Sequence, residues 1–464
     1  MLEIEIDDLA FGGAGVGRVQ DLVVFVEQAL PGQKVLARVV KKKKNFAEAR
    51  LMQILEPSPH QTAPRCRHFG QCGGCAFQHL AYDQQLQYKQ KQVEETMRRL
   101  GGFEPLDVLP TLPSPCIYQY RNKMEFSFSP QRWLAAEELG QKEEKEKAGV
   151  YLGLHVRGFF DKIIDVSECW LLPPRASALV EVVRDFAVAS GKPAYHARAH
   201  EGFWRFLVIR QAQNTPDLMV NLVTSEYDEK IARQFKALMA TQFPEITSLY
   251  YSTTQNLSGV AYPEAEYLLS GEPLIIEKLG PYAFQISSNS FFQTNSLQAQ
   301  RLYDVVADYA RLQPDENVYD LYCGAGTISL YISHGARQVT GFESVAAAVR
   351  DAQANATLNQ VSNCTFVSCD LRDGLSDTRD VITRYGRPDV CIIDPPRSGM
   401  HPKTVDALLR LLPQRIVHVS CNPATLARDV KLLCADAYRL VKIQPVDMFP
   451  HTAHIEAVVL LQRT

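Results

Sequence analysis

NVYDLYCGAGTISLYISHGARQVTGFE, residues 317–343, decides the fold class of this 464-residue chain. An apolar run stops at Asp320, a glycine-rich turn and a helical pattern follow, and a second apolar run stops at Glu343. Strand, tight turn, helix and returning strand make up the opening unit of a doubly wound parallel sheet. The rhythm continues with CTFVSCD (364–370), DVCIIDPPR (389–397) and RIVHVSC (415–421), separated by helical patterns, and a helix-like run at 298–309 precedes the set. Residues 286–464 are therefore expected to form an α/β Rossmann-like, doubly wound domain.

Upstream the rhythm changes. Residues 59–285 mix strand-like runs (KMEFSFS at 123–129, the run within 203–210, DLMVNLVT at 217–224, SLYYSTT at 248–254) with helical segments, which predicts an α+β domain. At its start, residues 78–100 have helical spacing on a polar background and stop at Gly101-Gly102. The charged run from Glu137 to Lys147 reads as a solvated loop insertion. Residues 1–58 alternate apolar and polar positions in short runs broken by Gly12–Gly17 and Pro31-Gly32, the pattern of a small antiparallel, OB-like β-barrel.

Composition excludes several classes. Hydrophobic residues make up 46% and charged residues 22%, so the chain is globular. No stretch reaches the roughly 18 uncharged apolar residues of a membrane span, and the start lacks a signal-peptide pattern, so a cytoplasmic protein without membrane contact is expected. The net charge is −3, but residues 34–50 carry seven basic groups against Glu48, a local +6 that includes Lys41, Lys42, Lys43 and Lys44. Such a patch attracts phosphates; a solvated lysine-rich loop is the plainer alternative.

Small residues at Gly324 and Gly326 let the backbone approach a ligand, with Thr327 opening the helix, and Glu343 stands 23 positions after Asp320, where a carboxylate can take both ribose hydroxyls. Asp370 ends the next strand, near where an adenine would lie. The third glycine of a dinucleotide fingerprint is missing, which favours S-adenosylmethionine over NAD. Asp394 ends its strand before the stiff Pro395-Pro396, and Cys421 ends the following one, so both face one crevice.

Uracil C5 is a poor nucleophile, and methylating it requires a thiolate to add at C6 first. Cys421 is the candidate thiolate, and Glu456, on strand-like HIEAVVLL, is the candidate base for the C5 proton. An inert buried thiol and an edge-strand carboxylate are the plain alternatives. Competing activities are methylation of cytosine C5 or of an exocyclic amine, or noncatalytic RNA binding by a vestigial domain. The target base must be flipped or presented from a loop; Phe291 and Phe292 are candidates to stack on it, with a core position as the alternative.

Eleven cysteines in a reducing compartment point to metal binding and catalysis rather than disulfides. Cys66, Cys72 and Cys75 are separated by five and two residues among Gly70, Gly73 and Gly74, and Cys169 is the best distant fourth ligand. A metal cluster or zinc fits three or four such thiolates. The spacing is not that of clusters that cleave adenosylmethionine.

With CRHFGQCGGC, YQYRNKMEFS, FFQTN, DLYCGAGTISL, DPPRSGM, VSCNP and DMFPHTAHIE in this order, the whole chain resembles the bacterial RNA (uracil-5-)-methyltransferases, especially 23S ribosomal RNA members with an N-terminal TRAM domain. The resemblance implies that Cys66, Cys72, Cys75 and Cys169 hold a [4Fe-4S] cluster and that Gln293, Tyr322, Glu343 and Asp370 line the cofactor site. It further implies that Asp394 touches the target uracil, Cys421 is the nucleophile, Glu456 is the base, and Arg121 and Lys123 contact RNA. Thr327 departs from relatives with asparagine there, its hydroxyl being a substitute hydrogen-bonding group. A monomer acting on ribosomal RNA is expected, with transfer RNA as the alternative substrate.

Overall fold

The computed structural model describes residues 1–134, 149–435 and 437–464; the Glu137–Lys147 insertion lies outside the described residues. Contacts divide them into two compact units, one of Met1–Pro64, Ala76–Pro115 and Gln298–Thr464, the other of Arg65–Cys75 and Cys116–Leu297.

The first unit opens with β1 (Leu2–Leu9), β2 (Gly15–Val19), β3 (Leu22–Glu27), β4 (Lys34–Lys42) and β5 (Phe46–Glu56), closed into a barrel in the order β1-β2-β3-β5-β4. Alternate positions Ile4, Ile6, Val24, Val26, Val35, Ala37, Ala47 and Ala49 fill it, as period-two patterning requires. The barrel departs from the all-antiparallel expectation at one place: β3 and β5 run parallel, which closes the sheet without an edge.

The second unit is built on β6 (Lys123–Ser129), β7 (Tyr151–His155), β8 (Ile163–Asp165), β9 (Trp204–Gln211), β10 (Leu218–Thr224), β11 (Ser248–Thr253) and β12 (Ala265–Gly271). Their order is β12-β11-β10-β9-β6-β7-β8. Helices Pro174–Ala189 and Glu229–Gln242 cover it, packing Leu179, Val183, Ile231 and Phe235 into one core with Phe126, Leu207 and Val220. β13 (Ile275–Leu279) and β14 (Tyr282–Ile286) form a separate hairpin.

In the first unit, the helix expected over 78–100 runs from Tyr82 to Thr96, widens into a π-type turn over Met97–Gly101 and stops at Gly102, whose φ of 78° is left-handed. Its buried face is Gln85, Lys89 and Val93, so most of what it hides is polar.

The remaining strands are β15 (Asn317–Leu321), β16 (Gln338–Glu343), β17 (Cys364–Ser368), β18 (Val390–Ile393), β19 (Arg415–Ser420), β20 (Tyr438–Val446) and β21 (Glu456–Arg463). They form one sheet in the order β17-β16-β15-β18-β19-β21-β20. The first five are parallel; β21 inserts between β19 and β20 and is antiparallel to both. The chain order reverses between β15 and β18, the switch point beyond whose carboxyl ends ligands bind in such sheets.

Candidate active site

Sheet register brings the expected catalytic pair together. The β19–β21 ladder ends with Ser420 opposite Ala457, so Cys421 and Glu456 are the next residues on the two chains, near enough that the charge of Glu456 raises the Cys421 thiol. Asp394 directly follows the neighbouring strand β18, its N–H donating to the Leu321 carbonyl at 3.3 Å.

Three acidic side chains crowd this sheet end. Burial pushes the Asp394 carboxyl up to about 7, with the charge of Asp320 adding to the effect. Burial raises Glu456 well above the usual carboxylate range, Asp394 raises it further and Arg397 opposes. Burial, Glu456 and Asp394 raise the Cys421 thiol, again against Arg397.

Two features favour the thiolate. Arg397 is held by its carbonyl, which accepts from Asn422 Nδ2 at 3.0 Å. Asn422 also caps the helix Pro423–Leu433, its side chain accepting from the Ala424 N–H at 3.1 Å, so Cys421 immediately precedes a helix N-terminus. Asn-Pro fits here because proline is preorganised for the first helical position.

The glycine turn has a strained backbone. Tyr322, Gly324 and Gly326 have φ of 65°, 53° and 76°. Nothing lies within 4 Å of where a Cβ on Gly324 would sit, whereas one on Gly326 would stand 2.8 Å from the Phe366 ring. Gly326→Ala is expected to cost about 1–3 kcal/mol of stability and to weaken S-adenosylhomocysteine binding at least tenfold, as measured by thermal melting and calorimetry.

Glu343 Oε2 accepts from the Gly324 N–H at 3.1 Å and Oε1 from the Val345 N–H at 2.8 Å. Asp370 follows β17 but is engaged by Arg372, which donates from Nε and from its backbone N–H at 2.9 Å and holds the carboxyl at about 2. Thr327 Oγ1 lies 2.9 Å from the buried Tyr303 hydroxyl, so its hydroxyl faces a phenol.

Asp320 is a site feature not anticipated from the sequence. It is fully buried, Ser329 Oγ donates to Oδ2 at 2.5 Å, and among the described residues Oδ1 has no hydrogen-bond partner. Burial raises this carboxyl to about 7. An orphaned buried oxygen beside a strained glycine turn fits a ligand that brings its own donor, such as the amino group of adenosylmethionine. A carboxyl raised in the folded state keeps its proton where the unfolded chain would lose it, so its penalty on folding builds as pH rises from about 3.9 toward about 7 and is complete above that. Asp320→Asn is therefore expected to raise the melting temperature by a few degrees at pH 8 and little at pH 5, while weakening cofactor binding.

The remaining expected residues belong to both units. Gln293 lies in the second unit, its carbonyl accepting from Asn122 Nδ2 at 2.8 Å. Phe291 is 73% exposed while Phe292 is buried against Phe284, which splits the pair. Lys41 pairs with Glu48 at 3.3 Å, Lys43 stands 5.2 Å from the Phe46 ring, and Lys42 and Lys44 are exposed. Arg121 Nε donates to the Lys123 carbonyl at 3.3 Å, and Lys123 Nζ pairs with Glu125 at 2.6 Å.

None of the cysteines forms a disulfide among the described residues. The segment 66–75 is stitched to 155–168, through the Gly73 N–H to the His155 carbonyl at 3.0 Å and the Arg67 N–H to Glu168 at 2.9 Å. Cys66, Cys72 and Cys169 lie near enough that the charge of one opposes ionisation of another. Yet no group of three or more His, Cys, Asp or Glu among the described residues is arranged to hold a metal ion. The donor chemistry of these thiols suits a cluster.

Comparison with known proteins agrees with the sheet and the barrel. Residues 272–464 match the tRNA (uracil-5-)-methyltransferase family model and residues 1–52 the TRAM domain. An RNA methyltransferase of Chlorobaculum tepidum is 42% identical over 100% of this chain and 96% of its own length. The chain belongs to the uracil-5 RNA methyltransferase family. A second such methyltransferase, of Porphyromonas gingivalis, is 43% identical over 99% of both chains. The solved structure of Pyrococcus abyssi tRNA (uracil-54, C5)-methyltransferase with S-adenosyl-L-homocysteine superposes with a TM-score of 0.75. It is 31% identical, covering 99% of this chain and 100% of that one. This methyltransferase is therefore an adenosylmethionine-dependent RNA-modifying enzyme, and no helix among its described residues is long and apolar enough to cross a membrane.

Proposed function

We propose that this methyltransferase acts in the cytoplasm on C5 of one uridine in 23S ribosomal RNA, through a covalent bond from Cys421 to C6. The observation that carries the reading is the meeting of Cys421, Glu456 and Asp394 just beyond the last pair of the β19–β21 ladder, where the charge of each carboxylate raises the thiol. Cys421 adds to C6, and the electron pair of the C5–C6 double bond moves toward C5 and the C4 oxygen. The cofactor, when bound, supplies an electrophilic methyl group: C5 takes it as the sulfur–methyl bond breaks, its electron pair staying on sulfur, and S-adenosylhomocysteine leaves. Glu456 removes the C5 proton, the C5–C6 double bond re-forms, and the C–S bond breaks to return the thiolate. Asp394 is assigned to contact the uracil ring and the cofactor. Tyr322, Gly324, Gly326, Thr327, Glu343, Asp370 and Gln293 are assigned to the cofactor.

The RNA is proposed to be held by Lys41 to Lys44, Arg121 and Lys123, with Phe291, now the exposed member of its pair, stacking on a displaced base. Cys66, Cys72, Cys75 and Cys169 are proposed to hold a [4Fe-4S] cluster outside the reaction, with zinc as the other metal; iron, sulfide and zinc analysis of anaerobically purified protein decides between them. Transfer RNA is the second reading, favoured by the full-length likeness to an archaeal tRNA enzyme. Mapping 5-methyluridine in a deletion strain tests both. Loss from 23S RNA supports the first reading, loss from transfer RNA alone supports the second, and unchanged 5-methyluridine in both overturns the proposal.

A further inference from the structure

The strand carrying Glu456 is reached through the loop 447–455 between β20 and β21. Val446 pairs with Glu456, so Asp447 starts this loop one residue beyond the ladder partner of Glu456. Tyr82, Gln85 and Lys89, spaced three and four residues apart on helix Tyr82–Thr96, lie on one helical face, and that face grips the loop.

Lys89 Nζ donates to Asp447 Oδ1 at 2.5 Å and to the Phe449 carbonyl at 3.1 Å. The Tyr82 hydroxyl donates to Asp447 Oδ2 at 2.8 Å and accepts from the Ser114 N–H at 2.9 Å. Gln85 Oε1 accepts from the His451 N–H at 3.0 Å, and the Ala76 and Phe77 N–H groups donate to the His451 carbonyl at 2.8 and 2.9 Å. His451 has a left-handed φ of 64°, so the loop corner is held against its own backbone preference.

The Lys89 and Asp447 side chains are both 0% exposed. Removing two such charges from water costs several kcal/mol per ion, and an apolar pair of the same volume is commonly as stable or more so. Stability is therefore a poor account of this pair. What it supplies that leucine and methionine cannot is direction, because each charged group is fixed by two partners.

We infer that Lys89 and Asp447, braced by Tyr82, are positioning residues that hold the 447–455 loop so that Glu456 reaches the C5 proton. This rests on the reading of Glu456 as the base. The residues assigned to thiol addition and to the cofactor lie outside that loop. Loosening it should therefore slow proton removal selectively and strand the methylated RNA on Cys421.

The test uses full-length enzyme, S-adenosylmethionine and total RNA from the deletion strain. The double variant Lys89→Met/Asp447→Leu removes both charges, avoiding an unpaired buried ion. A rise of at least tenfold in SDS-stable, methylated protein–RNA adduct is expected. Turnover should fall about ten- to a hundredfold, and S-adenosylhomocysteine affinity should stay within about twofold of wild type. Wild-type adduct and turnover, or lost turnover matched by lost cofactor affinity, overturns the inference. Should the double variant fail to fold, Tyr82→Phe decides, with adduct above wild type expected and wild-type adduct overturning the inference. Glu456→Gln run in parallel separates the two levels. If it gives no adduct, the reading of Glu456 falls and the inference with it. If it gives adduct while the network variants do not, the inference alone falls.

Discussion

Cys421→Ala is expected to abolish methyl transfer, by at least about 10⁴, while S-adenosylhomocysteine binding stays within about twofold. The asymmetry follows from where the residues stand. Apart from Gln293 and Asp394, the cofactor candidates sit at the ends of β15, β16 and β17, whereas Cys421 follows β19 on the other side of the switch point. Without the thiol, C5 has no adduct to make it nucleophilic, and the remaining groups bind without activating. No SDS-stable adduct should form. Methylation of an exocyclic amine needs no thiolate, so a fully active Cys421→Ala enzyme would point to that chemistry instead.

Glu456→Gln should fail at the other end of the reaction. Addition and methyl transfer do not use this carboxylate as a base, so one round of methylation should proceed. Turnover should then fall by about 10²–10⁴, with adduct accumulating on a gel. Glutamine is nearly isosteric and fits a site that already raises the carboxyl above its ordinary range. The same burial sets the pH dependence. Glu456 must be ionised to accept the proton, so wild-type turnover should rise with pH along a limb displaced above the ordinary glutamate value of about 4.3. A limb at the ordinary value would assign the base elsewhere.

Much of this site was legible in the sequence because its residues end short, fully buried strands. VCII and RIVHVS are apolar runs whose next residues are Asp394 and Cys421, and parallel strands buried on both faces read this way. The meeting of Cys421 and Glu456 was not legible, since it depends on β21 returning antiparallel between β19 and β20, a non-local pairing. β20 escaped notice because Lys442 and Gln444 interrupt its apolar run. Helix Tyr82–Thr96 was found by its spacing, yet its buried face was not, because periodicity counts apolar residues and this helix buries Gln85 and Lys89. Asp320 went unrecognised for a similar reason: an acidic residue at a strand end reads as a boundary until its unpartnered oxygen is seen.

The most direct measurement is tritium release from [5-³H]uridine-labelled RNA of the deletion strain, counted against methyl groups transferred by the wild-type enzyme. One tritium lost per methyl gained, abolished in Cys421→Ala, is the predicted result. Methyl incorporation without tritium release would contradict uridine-C5 chemistry at Cys421.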